Sequence, residues 1–234
     1  RLARARGHVR RVREILGDAR KILVLLQDDP DPDGLACGLA LRTLLGRTRK
    51  TMPMGSFGAV TRPENIEMCR VLDLDPIIVE EKDLAEYDRV VMLDTQPPHL
   101  RQQLPAVDVV IDHHPDTNCN APYTDIRPRY GATATILTEY LKAAKIKPAA
   151  KLATGLFWAI KTDTSNFERQ TLIEDLRAFQ FLFRHANVAL ARRIEQTELR
   201  VEFLKYFRRA IDQRRSRKGR LFVHLGPVSS PDVC

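Results

Sequence analysis

The chain has 234 residues, which suits one large domain or one domain with part of another. It is 44% apolar and 29% charged, as in an ordinary globular protein, and no apolar run approaches the ~20 residues of a membrane span. The net charge of +8, with arginine favoured over lysine, invites a polyanionic partner, while four cysteines (Cys37, Cys69, Cys119, Cys234) without a CxxC pair exclude zinc-ribbon and thioredoxin readings and suit a reducing cytoplasm.

Arg1–Arg20 is basic and amphipathic and reads as a helix packed on the body. A transit peptide is the poorer reading, since the segment lacks serine and carries Glu14 and Asp18. Ile22–Leu26 reads as a buried strand. It leads into Asp29-Pro30-Asp31-Pro32-Asp33-Gly34 and then a helix over Leu35–Leu45. Lys50–Met54 reads as a short strand, Pro63–Leu72 as a helix with proline in its first turn, and Pro76–Val79 as a strand. Arg89–Leu93 and Val107–Ile111 are buried strands, each followed by an aspartate, and Tyr123–Ile126 is a further short strand. Helices follow over Ala132–Ala144, Ala149–Lys161, Leu172–His185 and Leu199–Arg215. This alternation predicts an α/β fold, a parallel β-sheet with helices on both faces. Arg214–Arg220 is a basic turn containing glycine, and Leu221–Leu225 reads as a strand without a pairing partner of its own, the start of a second domain.

Three carboxylates at alternate positions repel one another, and a fold tolerates them when a cation sits between them. In an open parallel sheet the carboxyl ends of the strands line one crevice. Asp29, Asp31, Asp33, Asp94, Asp112, His113 and His114 should therefore converge there, with Asp163 at the end of a predicted helix. Taken singly, each has a plainer reading: Asp33 and Asp163 as caps, His113 and His114 as surface residues. Metal-type ligands at four separate element ends argue for a metal site. Hard carboxylates with imidazoles suit Mn²⁺ or Mg²⁺. Two such ions ~4 Å apart clamp a bridging hydroxide and a phosphoryl oxygen, the logic of phosphoester hydrolysis.

Gln27–Gly34 (QDDPDPDG), Leu93-Asp94, Ile111–Pro115 (IDHHP) and Lys161–Phe167 (KTDTSNF) resemble, in order, the four motifs of the DHH phosphoesterases. The resemblance covers roughly residues 20–190. That family includes RecJ-like exonucleases, oligoribonucleases that also cleave 3′-phosphoadenosine 5′-phosphate, cyclic-dinucleotide phosphodiesterases, pyrophosphatases and polyphosphatases. The resemblance implies two Mn²⁺ ions, with Mg²⁺ as the alternative. Asp94 would bridge them, Asp31 would serve the first, and Asp33, His113 and Asp163 the second. His114 would face the substrate phosphate as a catalytic residue, with Asp112 supporting the imidazoles. Gly131 and Thr133, in a segment that resembles a family helix start, would either contact substrate phosphate or form a plain helix N-terminus. Many small-substrate members carry a histidine where this chain has Gln27. RecJ-like members carry Asp-x-Asp-x-Asp-Gly, so Asp29 either replaces that histidine or the first metal binds weakly.

The resemblance also divides the chain into an N-terminal basic helix (1–20), a DHH domain (21–195), a linker helix (196–215) and the start of a DHHA1-like domain (216–234). The expected function is two-metal hydrolysis of nucleotidic substrates: short oligonucleotides, cyclic dinucleotides or nucleoside bisphosphates. The alternatives are an inorganic pyrophosphatase or polyphosphatase, a non-catalytic nucleotide sensor with a degenerate first metal site, and a basic nucleic-acid-binding domain without chemistry. The expected partner is a nucleotide or short nucleic acid, with no membrane; the expected setting is cytoplasmic, and the resemblance alone implies a homodimer.

Overall fold

The computed structural model describes residues 2–102, 104, 106–196 and 204–226. Six strands form a wholly parallel sheet: β1 (Ile22–Leu25), β2 (Met54–Ser56), β3 (Ile77–Ile78), β4 (Arg89–Leu93), β5 (Val109–Asp112) and β6 (Tyr123–Ile126). Their order is β3-β2-β1-β4-β5-β6. The helices are α1 (Leu2–Leu16), α2 (Pro32–Leu44), α3 (Pro63–Leu72), α4 (Thr133–Ala143), α5 (Ala150–Asp163), α6 (Ile173–Phe183), α7 (Val188–Glu195) and α8 (Leu204–Asp212).

Strand residues alternate between two cores. Ile22, Val24, Val91, Leu93, Val109 and Ile111 join the larger one, built with α1 to α7. Leu23, Leu25, Val90, Met92 and Val110 face a smaller core closed by Leu84 and Val107. The asymmetry follows from chain direction. From β1 to β3 the chain crosses the sheet one way, and from β3 to β6 it returns. Right-handed crossovers put outgoing connections on one face and returning ones on the other. The outgoing connections are α2 and α3, whereas among the described residues the returning ones hold only the 3-10 segments Glu81–Glu86 and Pro97–His99. Helices thus cover both faces, long ones on one side and short 3-10 segments on the other.

The order reverses between β1 and β4, so their carboxyl ends flank the switch point where open α/β sheets bind ligands. Behind it α2 is buried on nearly every side between the sheet, α4 and α5. Its approach to β2 requires Gly38, where a Cβ would collide with the Met54 side chain. In α1, Ala5, Val9, Val12 and Leu16 are buried in the larger core while the arginines face out.

Three details differ from the sequence reading. The short strand is Met54–Ser56 rather than Lys50–Met54, because it pairs where Val24 and Leu25 continue β1. The eight-residue α7, capped by Asn187, was not foreseen. The late strand also has a partner: β7 (Arg215–Arg217) pairs antiparallel with β8 (Arg220–Phe222) across Lys218-Gly219. Both turn residues have positive φ, 51° and 73°, as a two-residue hairpin turn requires. Of the segment 196–215 the structure describes 196 and 204–215, with α8 over Leu204–Asp212; 197–203 and 227–234 lie outside the described residues. Among the described residues no helix is long and apolar enough to cross a membrane.

Candidate metal centre

Asp31 caps α2, its carboxylate accepting from the Asp33 and Gly34 N–H groups at 3.0 Å each, with Pro32 at the first helical position. This places Asp33 in the first turn, fully buried against the start of α4. The Asp33 carboxylate accepts from Thr133 N at 2.6 Å and Ala134 N at 2.7 Å, so the helix dipole of α4 is already faced by an anion. Asp94 follows β4 in the left-handed region, φ 59°. One of its oxygens accepts from Thr133 Oγ1 at 2.9 Å; the other, Oδ2, is buried without a partner.

His113 follows β5, and its Nδ1 lies 3.1 Å from the Tyr130 carbonyl, which fixes that nitrogen as the N–H. Its Nε2 then points inward, 3.1 Å from Asp163 Oδ2, 3.4 Å from Asp94 Oδ1 and 3.9 Å from Asp33 Oδ2, yet makes no well-directed hydrogen bond. Ligand atoms of Asp33, Asp94, His113 and Asp163 all lie within 4.8 Å of one another, and so do those of Asp94, His113 and His114. His114 is half-exposed, its Nδ1 2.8 Å from Asp112 Oδ1. Asp112 also accepts from the backbone of His113 and His114 and, at 2.6 Å, from Gln96 Nε2.

Burial pushes Asp33 up to about 8, helped by the neighbouring Asp163 charge and opposed by His113. Burial raises Asp94 well above the usual carboxylate range, with Asp33 and Asp31 adding to it; burial and the Asp163 charge raise Asp31 as well. Burial alone would lower His113, but the close Asp163 and Asp33 carboxylates outweigh it and hold the ring at about 9. The hydrogen bond to Asp112 raises His114. Asp112 stays below the usual range: burial works against this, but His114 and Gln96 prevail. Without a cation, carboxylates packed this closely must retain protons. A divalent ion would replace those protons, and Asp94 and His113, each with a buried atom that lacks a hydrogen-bond partner, would be among the residues to hold it. The residues present fit such an ion, and their oxygen-rich set is that of a hard cation.

The structure thus brings Asp31, Asp33, Asp94, Asp112, His113, His114 and Asp163 to one crevice. It holds Asp29 apart: that carboxylate accepts from Thr61 N at 2.8 Å and Thr61 Oγ1 at 2.6 Å. Of the two readings for Gly131 and Thr133 the geometry matches the plain helix N-terminus: α4 starts at Thr133, and both N–H groups are engaged by the protein's own carboxylates. Gly131 N donates to both oxygens of Asp175 at 3.1 Å, and Thr133 N to Asp33.

Sequence reasoning missed three supports. Asp175 is buried and also accepts from Leu172 N and Thr135 Oγ1, both at 2.7 Å. Gln96 ties Asp112 to Thr117 and Pro115. Arg127 grips Asp125 with two bonds, at 2.8 and 2.7 Å, and reaches Glu139 at 2.7 Å and the Tyr130 hydroxyl at 3.1 Å. Only the last left a sequence signal: Asp125 and Arg127 share one side of an extended segment.

Residues 21–160 match the DHH family, N-terminal domain. Over 214 residues the chain is 35% identical to the uncharacterized protein MJ1633 of Methanocaldococcus jannaschii, a match that spans 91% of this chain and 45% of that protein. The fold resembles that of an exopolyphosphatase-related protein from Bacteroides fragilis, with TM-score 0.71 and 16% identity, over 91% of this chain and 66% of that one. The chain therefore spans about half the length of the curated relative it matches. A family match across the sheet and its carboxylate-lined switch point, with Asp112-His113-His114 at its mouth, places the chain in the DHH family.

Proposed function

We propose that this crevice holds two divalent ions, Mn²⁺ or alternatively Mg²⁺, and hydrolyses phosphoester bonds of nucleotidic substrates: short oligonucleotides, cyclic dinucleotides or nucleoside bisphosphates. The observation that carries the reading is that two buried atoms, Asp94 Oδ2 and His113 Nε2, have no hydrogen-bond partner on residues whose ligand atoms cluster with those of Asp33 and Asp163. Ions held there supply a water-derived nucleophile at neutral pH and a clamp on the phosphoryl oxygens.

Asp33, Asp94, His113 and Asp163 hold one ion; Asp94 and Asp31 reach the other. Asp29 joins them only by leaving Thr61. His114, its Nδ1 held by Asp112 and its pKa raised by that hydrogen bond, is the group that would donate a proton to a phosphoryl or leaving oxygen. Gly131 and Thr133 act through Asp175 and Asp33 rather than on substrate directly.

The experiment is a hydrolysis screen with Mn²⁺ over dinucleotides, cyclic dinucleotides, 3′-phosphoadenosine 5′-phosphate, pyrophosphate and polyphosphate. Turnover of at least one nucleotidic class is expected; release from pyrophosphate or polyphosphate alone would sink the proposal. Polyphosphate hydrolysis is the second reading, favoured by the description of the B. fragilis fold relative as exopolyphosphatase-related.

A further inference from the structure

The chain's positive charge is concentrated in one segment of the sequence. Residues 204–226 carry eight Lys and Arg against one acid, Asp212, which accounts for +7 of the net +8; the remainder of the chain has thirty basic and twenty-nine acidic residues. Asp212 itself lies 3.6 Å from Arg208. Arg215, Arg217, Lys218 and Arg220 are exposed and have no carboxylate partner among the described residues.

The hairpin register sorts these side chains. Arg215 pairs with Phe222, Arg217 with Arg220 and Ser216 with Leu221. Directly opposed residues share a face, as do residues two apart. One face therefore presents Arg215, Arg217, Arg220 and the ring of Phe222, which is 54% exposed. Two arginines directly opposite each other destabilise a hairpin, and an anion between them removes that cost. An aromatic ring beside three guanidinium groups adds a flat apolar platform.

We propose that this face docks single-stranded nucleic acid, with phosphates on Arg215, Arg217 and Arg220 and a base stacked on Phe222. The ring favours nucleic acid over polyphosphate or a lipid surface, since neither of those has a base to stack. Docking is independent of the metal centre.

The test is fluorescence anisotropy of a labelled oligonucleotide with the full chain in chelator, where hydrolysis cannot contribute. Three phosphate contacts predict a slope of about −2 in log K against log salt. Replacing all three arginines by Gln should abolish that slope and weaken binding at least roughly tenfold. Phe222→Leu should keep the slope and weaken binding roughly fivefold or more. Arg217→Glu separates folding from binding: it sets an acid opposite Arg220, which favours the hairpin, yet it should repel the strand. Unchanged binding by Arg217→Glu would overturn the proposal. So would an equal loss from Arg6→Gln/Arg10→Gln/Arg11→Gln on α1. So would polyphosphate or phosphatidylserine vesicles displacing the oligonucleotide while Phe222→Leu changes nothing.

Discussion

Asp33 and Asp94 are both buried carboxylates of the same cluster, yet their surroundings assign them different tasks. Both oxygens of Asp33 accept N–H groups from the start of α4. An Asn there sets its NH₂ against one of those donors, so Asp33→Asn should cost about 1–3 kcal/mol of stability even in chelator. Asp94 Oδ2 has no donor to lose, and an amide there replaces a carboxyl that without a cation must be held protonated among its acidic neighbours. Asp94→Asn should therefore leave urea-induced unfolding in chelator unchanged or shift it up by about 1 kcal/mol. It should also weaken Mn²⁺ binding by more than the roughly 10–100-fold typical of losing a group behind a ligand. Calorimetric Mn²⁺ titration checks this, and undiminished uptake would remove Asp94 from the centre. At this scale the strand-end aspartates and His113 were legible because each follows an apolar run that the sheet brings to one edge. Asp29 was not: its partner Thr61 is 32 residues away, and no local pattern announces that bond. Thr133 was seen as a helix start, but the anion it faces comes from another strand end.

Among the elements, β6 and its exit act on the centre without touching it. Arg127 locks Asp125, Glu139 and Tyr130 together, and the Tyr130 carbonyl sets the tautomer of His113. Burial disfavours both charges, but the ion pair outweighs it, holding Asp125 below and Arg127 above their usual ranges. Arg127→Met leaves Asp125 buried without its cation, with the Tyr140 hydroxyl still donating to it at 2.6 Å, so it should cost about 3 kcal/mol. It should also weaken metal binding roughly 10–100-fold at temperatures where the variant remains folded, because His113 loses its fixed orientation. Denaturant unfolding and Mn²⁺ titration of the same samples separate the two effects; lost stability with unaltered affinity would restrict Arg127 to the core. Strand runs such as Arg89–Leu93 declared themselves by length and apolarity. The return crossovers did not, since their 3-10 turns have neither the length nor the periodicity of a helix. The β7–β8 pairing escaped because its first strand is Arg-Ser-Arg, a sequence with no apolar face.

Across the whole molecule, α1 is joined to the distal sheet edge through His8. Its ring stacks on Tyr140 of α4 at 5.8 Å, its Nδ1 lies 2.5 Å from the Tyr123 hydroxyl of β6, and Asp125 lies 3.6 Å away. Burial lowers the His8 pKa below 6.5; Asp125 and Glu139 oppose this, while Arg127 and Arg4 reinforce it. A group with a depressed folded-state pKa takes up a proton more readily when unfolded. For this imidazole the stabilising contribution is complete above 6.5 and declines as pH falls from there toward the folded-state value. His113 works in the opposite sense: raised to about 9, it stabilises below 6.5 and loses that contribution as pH climbs through its folded-state value. The two overlap in a raw stability curve, so the difference between wild type and His8→Phe is the quantity to measure. Phe keeps the ring against Tyr140 and removes the titration. Urea midpoints of the two proteins should run parallel above pH 7 and converge below about 6.5, the variant gaining relative to wild type as the medium becomes acidic. Parallel curves down to pH 5 would show that His8 does not couple protonation to the docking of α1.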